Sequence, residues 1–313
     1  MEQTIQTAKS SRIRVKTVGP NDMPRYAQYI LIAILALLSL ACILPMFLVL
    51  AVSISDEVYI SQAGYQFFPK ELSLYAYEYL FYDYKKILNG YWISFLITAI
   101  GTASSLVVTS LFAYPVSRPD FPYRNQFLFF VFFTMLFNGG LVPWYLIYAQ
   151  AGLKDTLFAL LIPYLVIPFN LIIMRTFFGS TIPHALIESA KIDGAGELRI
   201  YWQIVLPLSL PVMATIGLFQ MLRYWNDWYL SLIYINQESL VNIQYLLYRV
   251  ISNINYLNSG LANQVATDGI LAALPTQTVR MAIAVIGIGP IVFVYPFIQK
   301  YFVKGLTVGS VKG

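Results

Sequence analysis

The sequence predicts an all-α integral membrane protein with six transmembrane helices and both termini in the cytoplasm. Composition is the first ground: 58% of the 313 residues are hydrophobic and only 11% are charged. Charge placement is the second, because the stretches 26–55, 87–117, 125–153, 156–174, 200–222 and 281–299 contain no Asp, Glu, Lys or Arg. Even the 19 residues of 156–174 make about 28 Å of helix at 1.5 Å per residue, close to a hydrocarbon thickness of roughly 30 Å. A soluble protein of buried helices does not need six such stretches. Aromatic residues, 16% of the chain, include many Tyr and Trp near the ends of the apolar runs, as interfacial belts require.

Sidedness is the third ground. Lys9, Arg12, Arg14, Lys16 and Arg25 precede the first run, and Arg118 and Arg124 separate the second from the third. Arg175, Lys191 and Arg199 separate the fourth from the fifth, and Lys300, Lys304 and Lys312 follow the sixth. The other side holds Lys70, Lys85, Lys86, Lys154 and Arg249, while Arg223 and Arg280 lie within or at the edge of a span. Thirteen basic residues against five put both termini inside by the positive-inside rule. The net charge of +5 is thus a topology signal, and no nucleic-acid partner is expected.

Taken in order, residues 1–24 read as a polar cytoplasmic tail and 25–303 as the membrane domain, with 304–313 as a second short tail. The first helix runs from about Arg25 to Ser53. It contains Cys42, which has no second cysteine to pair with; the apolar run past it to Ile54 suits a retained span better than a cleaved signal. An outer segment follows, in which the aromatic stretch Leu72–Lys86 reads as an amphipathic interfacial helix or as a sugar-binding face. The second helix, near Tyr91 to Val116, carries Gly101, Ala103, Ser104 and Ser105, small residues that let helices approach. Pro119 and Pro122 then fix a short cytoplasmic turn.

The third helix, to about Tyr148, is interrupted at Asn138-Gly139-Gly140 and Pro143. Such a break either lines a path or kinks a buried helix. The fourth, about Thr156 to Phe178, is broken by Pro163 and Pro168. The fifth is expected over Leu208–Ile235 and the sixth over Thr278–Phe302. An outer segment, about Asn236 to Thr276, lies between them with an amphipathic helix at Leu240–Ile254. Its amides Asn242, Gln244, Asn253, Asn255, Asn258 and Asn263 suit polar recognition, or simply a solvated loop.

The most informative stretch joins the fourth and fifth runs, at about 179–207. In Glu188 to Pro211 the small residues Ser189 and Ala190 precede an Asp193-Gly194 helix break, and Leu198–Leu206 reads as a second short helix. Pro207 and Pro211 stiffen the return to the membrane. This segment closely resembles the EAA loop of ABC-importer permeases, with Glu188, Ala190, Asp193, Gly194, Ala195, Ile204, Leu206, Pro207 and Pro211 in register. Ser189 stands where the second Ala is usual, and Tyr201 where Phe is common. Trp225-Asn226-Asp227 and the tail from Pro275 to Gly313 resemble the MalG-like carbohydrate permeases. Phe137 to Pro143 is similar to the LplC-type branch, associated with oligosaccharide and polysaccharide fragments.

The resemblance implies a type I ABC-importer permease fold and import of a carbohydrate, in particular an oligosaccharide, across a bacterial plasma membrane. It implies that Ala185, Glu188, Ser189, Ala190, Asp193, Gly194 and Ala195 couple the chain to an ATPase, with Glu188 and Asp193 orienting the loop through hydrogen bonds. The implied partners are a second homologous permease, two copies of a cytoplasmic ABC ATPase and an extracellular lipid-anchored binding protein. ATP and Mg belong on the ATPase, and this chain binds no cofactor. The residues agree: there is no G-x-x-x-x-G-K-[ST] phosphate loop and no His/Cys metal spacing. The single histidine, His184, adjoins the loop.

A substrate path is expected on the fifth helix. Arg223 lies about 22 Å along it from Leu208, and Asp227 one turn further on the same face. A charge at that depth must face the bundle interior or water, and an Arg–Asp pair lowers its cost. Arg223, Asn226 and Asp227 then line a cavity that receives sugar hydroxyls, with Trp225 or Trp228 for stacking. The plainer alternative is that the pair holds helices together and the tryptophans anchor the interface. An ion-coupled secondary transporter or channel is the rival function; it normally carries more membrane-embedded carboxylates or His or a duplicated architecture.

Overall fold

The computed structural model describes residues 24–257 and 276–292. Among the described residues the chain is helical apart from one antiparallel bridge between Ser55 and Leu72. Helix α1 (Arg25–Ser53) is apolar throughout, and its 29 residues reach about 44 Å. Its apolar stretch is not buried within this chain. Helix α2 (Glu57–Ala63) is capped by Asp56, whose carboxylate accepts from Val58 N–H at 2.9 Å and Tyr59 N–H at 3.1 Å.

The single interfacial helix expected over Leu72–Lys86 is not formed. Instead α3 (Tyr75–Phe81) is short, and after Tyr82-Asp83 the long helix α4 (Tyr84–Ser117) begins, well before Tyr91. Tertiary contact explains the early start. Ile87 is buried, and Gly90 lets the backbone of Ile243 come within 3.3 Å of where a Cβ would stand.

The next spans are bent. Helices α5 (Arg124–Leu136) and α6 (Leu141–Gln150) meet at 117° across Phe137–Gly140, where Gly140 takes φ 85°. Helix α7 (Leu157–Leu161) runs through a 3-10 turn into α8 (Pro168–Thr181) with a 49° bend. The loop comprises α9 (His184–Ile192), α10 (Glu197–Ile200), a π turn (Tyr201–Val205) and α11 (Leu206–Leu208). A 79° bend leads into α12 (Leu210–Trp225).

The fifth helix therefore does not run unbroken to Ile235. It ends at Trp225 and resumes as α13 (Tyr229–Tyr234). Helices α14 (Ile243–Leu257) and α15 (Gln277–Val292) complete the described chain. Helices α1 and α4 are each long and apolar enough to cross a membrane alone, and the three bent pairs bring the number to as many as five. Helix α15 is described to Val292; the rest of the sixth run towards Phe302 lies outside the described residues, as do both tails and Asn258 and Asn263.

Helix α4 is the post against which α8, α12 and α14 pack. Its small residues act where expected: a Cβ on Gly101 would lie 2.5 Å from the ring of Tyr224 on α12. Prolines explain the buried polar contacts. Pro168 has no N–H to give the Tyr164 carbonyl four residues back, and Gln220 Nε2 donates to that carbonyl at 2.7 Å. Ser105 Oγ donates to Leu165 O at 2.7 Å, and Tyr224 Oη to Leu161 O at 2.8 Å. Pro290 likewise frees the Ile286 carbonyl of α15, and Tyr91 Oη donates to it at 2.7 Å. Each breaker thus creates an acceptor that a neighbouring helix satisfies.

Candidate coupling loop and translocation path

Helix α9 ends in a Schellman motif. Gly194 at φ 79° donates its N–H to Lys191 O at 3.0 Å, and Ala195 N–H donates to Ala190 O at 2.9 Å. Ala190 and Ala195 are half-buried against a core that includes Met174 and Phe178 of α8 and the loop's own Ile187 and Tyr201. Ala185, Glu188, Ser189 and Asp193 point outward with His184. Five large apolar side chains of the loop share that exposure, Leu186, Ile192, Leu198, Trp202 and Leu208, with Ile192 85% accessible.

The loop is not oriented by Glu188 and Asp193. Neither side chain makes a hydrogen bond or ion pair among the described residues. The work falls to Lys191, which lies 3.1 Å from Asp120 Oδ2 and 2.8 Å from Glu197 Oε1. Asp120 belongs to the turn between α4 and α5 and is gripped by Arg118 through two bonds, at 2.9 and 2.7 Å. Tyr114 Oη of α4 donates to Glu197 Oε2 at 2.5 Å. The Arg118 guanidinium, followed by Lys191, holds the Asp120 carboxyl far below the usual carboxylate range. Partial burial raises Glu197, but Lys191, Tyr114 and Arg118 together bring it below its ordinary value. A helix end, a turn and the loop are thereby joined by one charged strut.

On the path side, the Arg223–Asp227 ion pair is not made. Tyr164 stands between them: its hydroxyl donates to Asp227 Oδ1 at 2.8 Å, and the Arg223 guanidinium lies 5.1 Å from its ring centroid. The break after Trp225 swings Asp227 out of the helical register that a pair at i and i+4 needs. Asp227 also anchors the restart of the chain, accepting from Leu230 N–H at 3.5 Å and, through its backbone carbonyl, from Asn242. Asn226 is exposed and donates to Leu222 O at 2.8 Å. Trp225 is buried, its indole N–H on Gly287 O at 3.0 Å. It borders a largely apolar cavity of about 590 Å³ between α4, α12 and α15. Trp228 stacks on Tyr248 with centroids 4.3 Å apart.

The structure therefore separates the five predicted path residues: Arg223 and Asp227 meet Tyr164, Trp225 borders the cavity, Trp228 packs on Tyr248 of α14, and Asn226 is exposed. Asn242 and Gln244, expected to serve recognition, are structural. Asn242 is buried and caps α14 by accepting from Tyr245 N–H at 3.0 Å, and Gln244 donates to Gly287 O at 3.3 Å. Of the other amides, Asn255 accepts from Arg280 at 2.7 Å. Sequence reasoning missed Tyr164, Gln220, Asp120, Lys191 and Glu197. Pro168 was the available signal for Gln220, since it frees the Tyr164 carbonyl that a buried donor must meet; nothing local pointed to Tyr164.

Bent apolar helices around a small-residue loop turned at Gly194 are the architecture of a membrane transport subunit. The chain belongs to the family of binding-protein-dependent transport system inner membrane components, which it matches over residues 32–308. It is 41% identical over 282 residues to the polygalacturonan/rhamnogalacturonan transport system permease protein YtcP of Bacillus subtilis, covering 89% of this chain and 96% of that one. Protein LplC of the same organism is 41% identical over 274 residues, covering 87% and 90%. A solved structure of a bacterial ABC transporter involved in the import of the acidic polysaccharide alginate superposes with a TM-score of 0.74 at 31% identity. It covers 91% of this chain and 98% of that one. The fold is that of a type I ABC permease.

Proposed function

We propose that this chain is one of two permease subunits of an ATP-driven importer that moves oligosaccharides cut from an acidic polysaccharide. The observation that carries the mechanism is the loop at 184–208: a Gly194 turn and a charged strut hold it rigid while Leu186, Ile192 and Leu198 stay exposed. Rigidity with an apolar face is what a transmitter of force from a separate ATPase requires. The substrate class rests on the names of YtcP and of the alginate importer. With six spans and both termini in the cytoplasm, the loop lies on the ATP side. Two ATPase copies bind ATP and Mg there, a homologous permease completes the path, and a lipid-anchored protein delivers sugar outside. Ala185, Glu188 and Ser189 face the ATPase, while Gly194 sets the turn.

Gly194→Val tests this. The site has open space around a Cβ, so the substitution costs about 1–2 kcal/mol of left-handed backbone strain without a clash. Membrane insertion should persist while uptake and binding-protein-stimulated ATP hydrolysis are lost. Wild-type uptake in that variant would refute loop coupling, and absence of a co-purifying ATPase from the wild-type complex would refute the importer assignment.

A further inference from the structure

The break between α5 and α6 opens a cavity of about 320 Å³ bordered by Asn138, Gly140, Leu141, Trp144 and Tyr229. We propose that Asn138, Trp144 and Tyr229 form a carbohydrate subsite on the translocation path, taking one sugar ring of the oligosaccharide. This rests on the importer function proposed above and names residues outside the Trp-Asn-Asp segment.

The geometry is that of a sugar platform. The rings of Trp144 and Tyr229 lie nearly parallel, 16° apart with centroids separated by 6.5 Å. Trp144 is braced in place by edge contacts with Tyr148 at 5.8 Å and Tyr234 at 5.7 Å. Tyr234 is itself fully buried and stacked on Tyr145 at 5.8 Å. A braced aromatic face offers its area at little entropic cost, and the apolar C–H face of a sugar ring packs against it while the hydroxyls seek donors and acceptors.

Polar groups for those hydroxyls are present and uncommitted. Asn138 Oδ1 accepts from Gly140 N–H at 2.9 Å, which leaves its amide nitrogen free. The Tyr229 hydroxyl and the Trp144 indole N–H make no hydrogen bond among the described residues.

Depth supplies the second argument. Asp155 binds the backbone of Asn236 and Gln237 and the Asn236 side chain, closing the outer ends of α7 and α13. Tyr229 lies about 10 Å of helix from that junction, and Trp144 about 9 Å from the C-terminal end of α6. Asn138, Gly139 and Gly140 sit at the same break and are exposed on this chain. Irregular backbone at membrane depth persists only against protein or in a wet cavity. Free donors beside two aromatic faces select the wet cavity, and the sugar is the solute that fits both.

The test uses the assembled complex in liposomes with its own binding protein. The probes are digalacturonate, trigalacturonate, alginate trisaccharide, xylotriose and maltotriose. Trp144→Leu should lower uptake of the transported sugar roughly three- to tenfold, the size of an aromatic contact. Assembly and ATP hydrolysis stimulated by loaded binding protein should hold, and Trp144→Phe should recover most of the loss. Tyr229→Phe and Asn138→Ala should lower uptake less, each by removing one hydroxyl contact. Wild-type uptake in Trp144→Leu overturns the subsite. So does loss of assembly in Trp144→Leu or Asn138→Ala, which would show that the partner permease, not sugar, covers the cavity. If the wild-type complex moves none of the five probes, the carbohydrate assignment itself fails and the subsite falls with it.

Discussion

The hydroxyl of Tyr164 donates to Asp227 Oδ1 at 2.8 Å, and the guanidinium of Arg223 lies 5.1 Å from the centroid of the same ring. One tyrosine on the α7–α8 segment thereby occupies the place where a direct Arg–Asp contact would stand. The arrangement makes Tyr164→Phe more damaging than Arg223→Gln. The first removes a hydrogen bond to a buried carboxylate, worth about 1.5–3 kcal/mol because the acceptor is charged. The second removes an exposed cation–π contact of about 0.5–1 kcal/mol and leaves Asp227 with Tyr164. Thermal unfolding of the two variants in detergent should rank them in that order. Equal losses would restore the direct pair.

Glu57 predicts a pH dependence at the start of α15. Its Oε1 accepts from Thr276 Oγ1 at 3.2 Å and Gln277 N–H at 2.9 Å, and its Oε2 from Thr278 N–H at 2.9 Å and Thr278 Oγ1 at 2.6 Å. A carboxylate from α2 thus caps the start of α15. Burial raises its pKa, yet the donors of Gln277, Thr278 and Thr276 outweigh that and hold it below its ordinary value of 4.5. A folded value below the unfolded one means stabilisation is complete above about pH 4.5 and drains away as pH falls through the folded value. Glu57→Ala should cost about 1–2 kcal/mol at pH 7, as for a lost helix cap. The gap to wild type should close as the pH is taken well below 4.5. A gap independent of pH would mean that packing, not the charged cap, is what Glu57 supplies.

Gly101→Ala probes the seam between α4 and α12. The added methyl would stand 2.5 Å from Tyr224, a fully buried ring whose hydroxyl is committed to Leu161 O. The ring cannot swing aside without breaking that bond, so overpacking should cost about 1–3 kcal/mol. Gly289→Ala within α15 is the control, since a Cβ there meets nothing within 4 Å and helix propensity favours the change. Equal unfolding temperatures for the two variants would show that the helices separate freely at this seam.

The apolar runs made the fold class legible, because a charge-free stretch of bilayer length is seldom needed anywhere but in a bilayer. Arg25–Ser53 was legible to the residue. Gly194 was legible too, since Asp-Gly after a small-residue helix demands a left-handed turn. What escaped were places where tertiary contact outvotes local pattern. Helix α4 starts at Tyr84 because Ile87 and Gly90 meet α14, and nothing within that segment announces it. The fifth run breaks at Asn226 because Asp227 is drawn to Tyr164 and Asn242, partners distant in sequence. Glu188 stands out by family resemblance, whereas the charges that hold the loop, Lys191 and Glu197, belong to the same segment but find their meaning only through Asp120.

That strut carries the last prediction. Loop α9–α11 is covalently joined to α8 and α12, but Asp120 ties it also to the turn that ends α4. Movement imposed on the loop by an ATPase should therefore reach α4 directly through Lys191, Asp120 and Arg118. The side chains of Lys191 and Asp120 are 39% and 54% exposed, so their pair adds only about 0–1 kcal/mol to stability. Arg118, with a side chain 11% exposed, depends more on its carboxylate. Asp120→Asn should leave assembly intact but lower sugar imported per ATP hydrolysed roughly two- to fivefold, the scale of about 0.5–1 kcal/mol. Lys191→Gln should lower it by a similar factor, because it removes the arm that joins the loop to Asp120. Because Asp120 is held far below the usual carboxylate range, lowering the pH from 7 to about 5 should not reproduce the defect. Salt near 1 M should reproduce part of it by screening the exposed arm. Wild-type coupling in Asp120→Asn at low salt would show that the stroke does not run through Asp120.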